Sequence, residues 1–336
     1  MSTVPAVDLP LGAPDLQSRL APAMAAVENR LRAAVAVTDA LVDAPAAHLA
    51  AAGGKRLRPL LTLLAAELGE GPGEDVLTAA VAVEVTHLAT LYHDDVMDSA
   101  PLRRGAPAAH EVWGNSVAIL TGDLLFARAS QLVAALGPDA VRVHAETFER
   151  LCLGQLHEAL GPADGQDPVA HYLDVLADKT GSLIATSARY GAAFGGAGER
   201  VAGLLARYGE KVGVAFQLAD DVIDLSADAA TTGKTPGTDL REGVDTMPVL
   251  LLRERAAAGT LDPAGARLLQ RLGTDLSDDA LGAVVADLRG HEVVAEARAL
   301  ATRWAEDAVA ELAPLPDGQV KDALGAFASV LVDRLA

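Results

Sequence analysis

An all-α fold is predicted by three features of this 336-residue sequence. Apolar residues recur at spacings of three and four through most of its length, no stretch sustains the alternation of a half-buried strand, and the breaks between periodic stretches are short and marked by Gly or Pro. In chain order, residues 1–16 carry Pro5, Pro10 and Pro14 and read as a flexible lead-in. Helical stretches rich in Ala, Leu, Val, Glu and Arg follow at 59–69, where Pro59 suits a first helical turn, and at 76–92, 117–136, 140–160, 200–225 and 281–312. The intervening breaks fall at 69–73 (GEGPG), 105–107 (GAP), 161–168 (GPADGQDP), 195–198 (GGAG), 233–237 (GKTPG) and 313–318. None resembles an interdomain linker, so 17–336 reads as one domain. Several of its helices are apolar nearly all round, as the central helices of a large multilayer bundle are.

Composition narrows the function classes. With 46 acidic against 27 basic residues the net charge is −19, which argues against a nucleic-acid partner and against a polybasic membrane anchor. Aromatics at 3% are too few for base-stacking platforms, and 51% hydrophobic with 22% charged residues argues against wholesale disorder. Cys152 is the only cysteine, which excludes an intrachain disulfide or a cysteine-based zinc cluster and points to a reducing, cytoplasmic setting. The N-terminus lacks a signal-peptide pattern and no uninterrupted apolar run reaches ~18 residues. A soluble protein without stable membrane insertion is expected. Only five basic residues are lysines, at 55, 179, 211, 234 and 321, so a lysine here is a rare choice.

Two acidic stretches stand out. HDDVMD places Asp94, Asp95 and Asp98, and ADDVID places Asp220, Asp221 and Asp224, each directly after a long apolar run. On a helix, positions i and i+4 share a face, so Asp94 points with Asp98 and Asp220 with Asp224. Like charges at that spacing cost about 0.2–0.5 kcal/mol in an isolated helix. Beside the apolar HLATLY and FQLA, desolvation makes the repulsion worse. A compensating cation is expected. Clustered carboxylates without His or Cys suit a hard, oxygen-seeking ion, and Mg²⁺ takes one or two carboxylates while substrate phosphates complete its shell. A solvated acidic face explains one such motif as readily, but not two on apolar helices. Neither stretch has the alternating ligands, central Gly and terminal Glu of an EF-hand.

Basic clusters complement the acidic ones. GGKRLRP at 53–59 sets Lys55, Arg56 and Arg58 after a glycine pair and before a helix, a context in which backbone amides and cations hold a phosphate. Arg103 and Arg104 follow the first aspartate motif, Lys179 lies in DKTGS, and Lys234 lies in GKTPGTD after the second. Lys211 and Lys321 read as surface solubilisers. The GKT at 233–235 is not a P-loop, because Asp228 stands where its first glycine belongs, no GxGxxG is present, and His157-Glu158 lacks the second His of HExxH. Spacing and composition thus reach a Mg²⁺-dependent enzyme of phosphorylated, apolar substrates.

GGKRLRP, HLATLYHDDVMDSAPLRRG, DKTGSL and GVAFQLADDVIDLSADAATTGKTPGTDL, in that order, resemble the landmarks of the trans-isoprenyl diphosphate synthases, the polyprenyl synthetase family, over about residues 50–250. The resemblance implies an isoprenoid synthase fold: a bundle of long antiparallel helices around a central cavity, working as a homodimer, with the aspartate motifs facing each other at the cavity mouth. It implies head-to-tail transfer of an allylic prenyl diphosphate onto isopentenyl diphosphate. Mg²⁺, three ions with substrate bound, would be held by Asp94, Asp98 and Asp220, with Asp95, Asp221 and Asp224 as supporting ligands or acceptors. Arg103, Lys179 and Lys234 match residues that contact the allylic diphosphate; Lys55, Arg58, His87 and Arg104 match those that bind isopentenyl diphosphate. Thr180 and Gln217 match polar groups facing the cation or its diphosphate, and Phe216 matches one that packs on the second substrate. His87 by itself reads as a core histidine, and His93 as structural or supporting. Val244 stands where many members of the family have a lysine, and Arg241 lies close enough in sequence to compensate.

Sterics address product length. Thr90 and Ala89, four and five residues before Asp94, are small, where a bulky aromatic is the family's usual floor for short products; Thr86 and Val83 lie further down. The expectation is a long-chain all-trans polyprenyl product serving quinone side chains, with Ala89→Phe shortening it, and product passed on at the membrane periphery. Competing readings are a class I terpene cyclase or head-to-head synthase, against which GGKRLRP and the complete second motif argue, an inactive partner subunit, which tends to lose the aspartates this chain keeps, and an acidic helical scaffold, which leaves the lysine placement unexplained.

Overall fold

Each periodic stretch forms helix in the structure, a computed structural model that describes residues 14–226, 237–241, 243–274 and 278–333. The order is α1 (Pro14–Val35), α2 (Ala40–Ala51), α3 (Leu57–Ala66), α4 (Glu74–Met97), the two-residue strands β1 (Leu102–Arg103) and β2 (Ala106–Pro107), α5 (Ala109–Trp113), α6 (Asn115–Ala134), α7 (Pro138–Leu160), α8 (Pro168–Leu176), a π-helical turn (Ala177–Gly181), α9 (Ser182–Phe194) and α10 (Glu199–Ser226). There follow α11 (Thr238–Arg241), α12 (Met247–Ala257), α13 (Pro263–Leu272), α14 (Asp278–Arg289), α15 (Glu292–Glu311) and α16 (Gln319–Asp333). The fold is all-α, as expected. Four points differ from the sequence reading, the first being that the stretch 281–312 is two helices, α14 and α15, parted at Gly290 and His291. Helix α1 begins at Pro14, inside the expected lead-in, because Leu16 is fully buried and anchors that turn. Helix α3 begins at Leu57 after Arg56, so Pro59 is its third residue and not its first. The GAP break belongs to a small antiparallel hairpin pairing Leu102 with Pro107 and Arg103 with Ala106.

The chain divides into two compact units, one of residues 1–149, 182–210 and 309–327, the other of 150–181, 211–308 and 328–336. In the first, α3 and α4 are the central helices that the all-round apolar pattern predicts. Every residue of α3 from Pro59 to Ala66 is buried, and α4 is buried almost continuously from Val76 to Ala89. Helix α9 packs on α3 at Gly191, where any Cβ would collide with the Thr62 carbonyl, so glycine is required by the closeness of the two backbones. Tyr92 and Tyr208 are fully buried yet satisfied, donating to the carbonyls of Pro45 and Leu324. By length and composition alone α4 and α6 are apolar enough to span a membrane; α4 spends that surface inside its unit, whereas α6 leaves much of it exposed.

In the second unit the core gathers Tyr172 and Leu176 of α8, Val214, Leu218 and Val222 of α10, Met247 and Leu252 of α12, Val284 and Leu288 of α14, and Val293 and Ala297 of α15. Between α8 and α9 the helix widens into the π turn that contains Lys179 and Thr180. Helix α7 approaches this turn closely at Gly154, where a Cβ would lie 2.6 Å from the Lys179 backbone nitrogen.

Candidate active site

Both aspartate motifs sit at the C-terminal ends of long apolar helices, the first on α4 and the second on α10, and neither helix has a basic residue in its last turn. The partial negative charge of a helix C-terminus disfavours carboxylates by about 0.3–1 kcal/mol each at exposed sites. Each motif therefore adds like charge to a helix end that already calls for a cation.

In the first unit Asp98 caps α4 and is exposed, Asp94 is partly exposed one turn earlier, and Asp95 is fully buried. Asp95 Oδ1 accepts from Arg103 Nε at 2.6 Å while its Oδ2 is buried without a hydrogen-bond partner. Burial pushes the Asp95 carboxyl upward and Arg103 draws it back. Arg103, expected on a diphosphate, is thus engaged by a motif aspartate. The turn of the β1–β2 hairpin places Arg104 in a left-handed conformation, φ 55°. Its guanidinium donates to the carbonyls of Leu49, at 3.2 Å, and of Gly53, and lies against Gly54, where a Cβ would be 2.8 Å from it.

That contact ties the hairpin to the GGKRLRP loop. Lys55 is exposed at its tip, whereas Arg58 reaches inward, its Nε buried with no hydrogen-bond partner, and desolvation holds its pKa down to about 10. Arg56, grouped with its neighbours as a phosphate-holding cation, is instead spent on Glu28 and Glu84 at 3.0 and 2.9 Å. His87 lies on α4, about two helical turns before Asp94 or roughly 10 Å along the axis. Desolvation, then Arg58, Arg104, Arg103 and Arg56, push its pKa well below the ordinary value, so it stays neutral. The folded state therefore declines a proton that the unfolded chain accepts below about pH 6.5, and this contribution to stability is present above that pH and lost as pH falls. The melting temperature of a His87→Gln variant should accordingly fall less between pH 7 and 5 than that of the wild type; equal slopes would show that His87 ionises freely.

In the second unit Asp221 is buried, and its Oδ2 accepts from the Tyr172 hydroxyl at 2.9 Å and the Met247 amide at 3.3 Å. Desolvation and the neighbouring Asp239 hold this carboxyl well above the ordinary range. Asp220 and Asp224 are partly exposed, and Asp224 Oδ2 accepts weakly from the Asp239 amide at 3.4 Å. Lys179 on the π turn pairs with Glu158 of α7, and Thr180 Oγ1 donates to Gln217 Oε1 of α10 at 3.3 Å. Phe216 and Gln217 are partly buried. Lys234 lies outside the described residues. Val244 packs partly buried, its amide bonded to the Asp239 carbonyl at 2.9 Å.

Five residues around these motifs escaped the sequence reading: Glu28, Glu84, Glu158, Tyr172 and Asp239. Glu84 had a signal, a lone charge inside the apolar VAVEVTHLAT three residues before His87, hence on the same helix face. Among the described residues no three ligating side chains are gathered into a preformed metal cage. Oxygen-only donors in i, i+4 pairs and the unpartnered Asp95 Oδ2 nonetheless fit a hard divalent ion that brings its other ligands with it.

The polyprenyl synthetase family model matches residues 39–278. The chain is 45% identical to nonaprenyl diphosphate synthase of Mycobacterium tuberculosis, over 93% of its own length and 92% of that protein's. It is 39% identical to a dimethylallyltranstransferase of the same organism over 96% of each. The crystal structure of geranylgeranyl pyrophosphate synthase from Corynebacterium glutamicum, complexed with calcium and isoprenyl diphosphate, superposes with a TM-score of 0.84 at 43% identity, covering 96% of this chain and 98% of that one. Together with two aspartate-tipped helices and a desolvated arginine pocket on one scaffold, these matches establish that the chain belongs to the polyprenyl synthetase family and is a prenyltransferase.

Proposed function

We propose that the protein condenses an allylic diphosphate with isopentenyl diphosphate in head-to-tail steps and releases a long-chain all-trans polyprenyl diphosphate destined for quinone side chains. The observation that carries this reading is the pairing, on and around α4, of a desolvated pocket of Arg58, Arg104 and the neutral His87, with the Arg58 Nε buried and without a hydrogen-bond partner, with the carboxylates of Asp94 and Asp98. A pocket of buried guanidiniums around a neutral imidazole takes a diphosphate that has no metal of its own, and a carboxylate pair takes one that arrives with Mg²⁺. Mg²⁺ would supply charge stabilisation for the departing diphosphate. Asp94, Asp98, Asp220 and Asp224 would hold the ions, with Asp95 and Asp221 fixing the motifs from behind through Arg103 and Tyr172. Lys179, once drawn from Glu158 by the more highly charged diphosphate, adds a cation to the leaving group, and Thr180 and Gln217 offer their polar atoms beside it. Elongation assays with Mg²⁺, labelled isopentenyl diphosphate and a series of allylic primers test the reading; no elongation from any primer would favour an inactive partner subunit.

Product length is assigned to the face of α4 leading away from Asp94. Ala89 has no exposed surface, and its carbonyl lies on the side of α4 that approaches α6 at Gly122, whereas Thr90 keeps partial exposure. The burial of Ala89 and the partial exposure of Thr90 support placing the wall at Thr90. Thr90→Phe is expected to shorten the product by several isoprene units with turnover retained, whereas Ala89→Phe overpacks a filled contact at a cost of about 1–3 kcal/mol. An unchanged product from Thr90→Phe, sized after dephosphorylation, would refute the assignment.

We also infer a homodimer, a reading that the exposed apolar residues of α6 support. Val117, Ile119 and Leu120 are exposed on it, Leu120 by 65%, and Phe148 of α7, packed at a tilt against Phe126, extends the patch. A second copy of the same face is the occupant such a surface fits. Leu120→Glu should yield monomers in sedimentation experiments, and a dimer of unchanged strength would place the interface elsewhere.

A further inference from the structure

The cationic loop at residues 53–58 is held by two carboxylates remote in sequence, Glu84, which is buried, and Glu28, which is partly buried. Arg56 adopts a left-handed conformation, φ 49°, at the start of α3 and is buried. Each of its five N–H groups is used. Nε donates to Glu28 Oε2 at 3.0 Å; Nη1 donates to Glu84 Oε1 at 2.9 Å and to the Gly53 carbonyl at 3.2 Å; Nη2 donates to the Ala50 carbonyl at 3.0 Å and to Glu28 Oε1 at 3.4 Å. One guanidinium thereby joins α1, α2, the loop and α4. The Gly53 carbonyl is shared with Arg104, so the same knot reaches the β1–β2 hairpin.

The charges are matched to this task. Arg56, Arg58 and Arg104 converge in a desolvated pocket, where three uncompensated guanidiniums would drive one another apart. Glu84, 2% exposed, is the anion that faces all three, while Glu28 meets only Arg56 among them and pairs otherwise with Arg32 of its own helix at 3.7 Å. We propose that Glu84 and Glu28, acting through Arg56, are positioning residues that keep the loop set to present Lys55 and Arg58 to a diphosphate. Arg56 itself has no N–H left for ligand. This rests on the reading of the pocket as the isopentenyl diphosphate site, and it adds why the pocket stays assembled without ligand: two carboxylates hydrogen-bond the cation that shapes it and leave the Nε of Arg58, the one that binds, without a hydrogen-bond partner.

Glu84→Gln, Glu28→Gln and Arg56→Lys test the proposal. Glu84→Gln keeps an acceptor and removes the charge, and Arg56→Lys keeps the charge and removes the five-fold geometry. Both are expected to raise KM for isopentenyl diphosphate about tenfold while kcat and KM for the allylic primer stay within twofold. Arg56→Lys should therefore fail to rescue. Calorimetric titration with inorganic diphosphate in the presence of a chelator reads the pocket without metal or turnover; affinity should drop about tenfold in the variants and vanish in an Arg58→Ala control. A wild type that binds inorganic diphosphate but elongates nothing would overturn the proposed reaction and leave the clamp standing. Variants that fold, by circular dichroism, yet keep wild-type affinity for inorganic diphosphate and isopentenyl diphosphate would overturn the clamp, as would equal KM increases for both substrates. If Arg56→Lys fails to fold, Glu28→Gln, which leaves Glu84 in place, decides by the same readouts.

Discussion

Asp94→Ala is expected to lower kcat/KM for elongation by about 10²–10³-fold, the loss seen when one preorganised stabiliser of transition-state charge is removed. The carboxylate belongs to an i, i+4 pair at a helix C-terminus whose own last turn has no basic residue, so its removal lowers the like charge gathered at that helix end. Thermal denaturation without Mg²⁺ should consequently show a melting temperature unchanged or slightly raised, while steady-state elongation collapses. Opposite signs for stability and activity distinguish a residue kept for binding a cation from one kept for the fold. Asp94→Asn should respond partly to excess Mg²⁺ because one oxygen donor remains. Activity within tenfold of wild type would remove Asp94 from the metal-holding set.

Arg58→Leu is the second variant for which a large effect is expected. Hydrogen bonds to charged groups contribute about 1.5–3 kcal/mol, so losing a guanidinium that grips a diphosphate raises KM for isopentenyl diphosphate about 10²-fold. Primer binding, measured with an allylic diphosphate alone, should be little changed. The unliganded protein should gain stability, because the buried Nε has no partner and desolvation has already brought the side chain's pKa down to about 10. Leucine returns apolar packing without that penalty. A lowered melting temperature would mean that Arg58 supports the fold, and an unchanged KM would mean that the second substrate binds elsewhere.

Much of this arrangement was legible because the chemistry is written in local patterns. Asp94 with Asp98 and Asp220 with Asp224 are i, i+4 pairs, and helical spacing alone puts each pair on one face. Central helices α3 and α4 announced themselves as apolar all round. What escaped was contact between residues far apart in sequence. Arg56 and Arg58 are chemically alike and two positions apart, yet one pairs with Glu28 and Glu84, each 28 residues away, and the other keeps a buried Nε without a hydrogen-bond partner. Nothing local distinguishes them. The hidden partners of Lys179 and Asp221, namely Glu158 and Tyr172, are likewise 21 and 49 residues distant. Ala89 and Thr90 are both small, and which of them is walled in depends on how α6 lies along α4.

The π turn at Ala177–Gly181 constrains how this segment can change in length. A turn of this kind holds more residues than an α-turn, so the helical phase of everything before it is offset from everything after it. Deleting a single residue there would restore regular winding and turn the preceding helix by roughly 100° about its axis. Tyr172 would swing away from Asp221, and the Lys179 backbone would leave the narrow seat opposite Gly154. Substitutions on the surface of this segment are tolerable, but insertions and deletions are not: between residues 172 and 181 the count of residues is itself a functional specification.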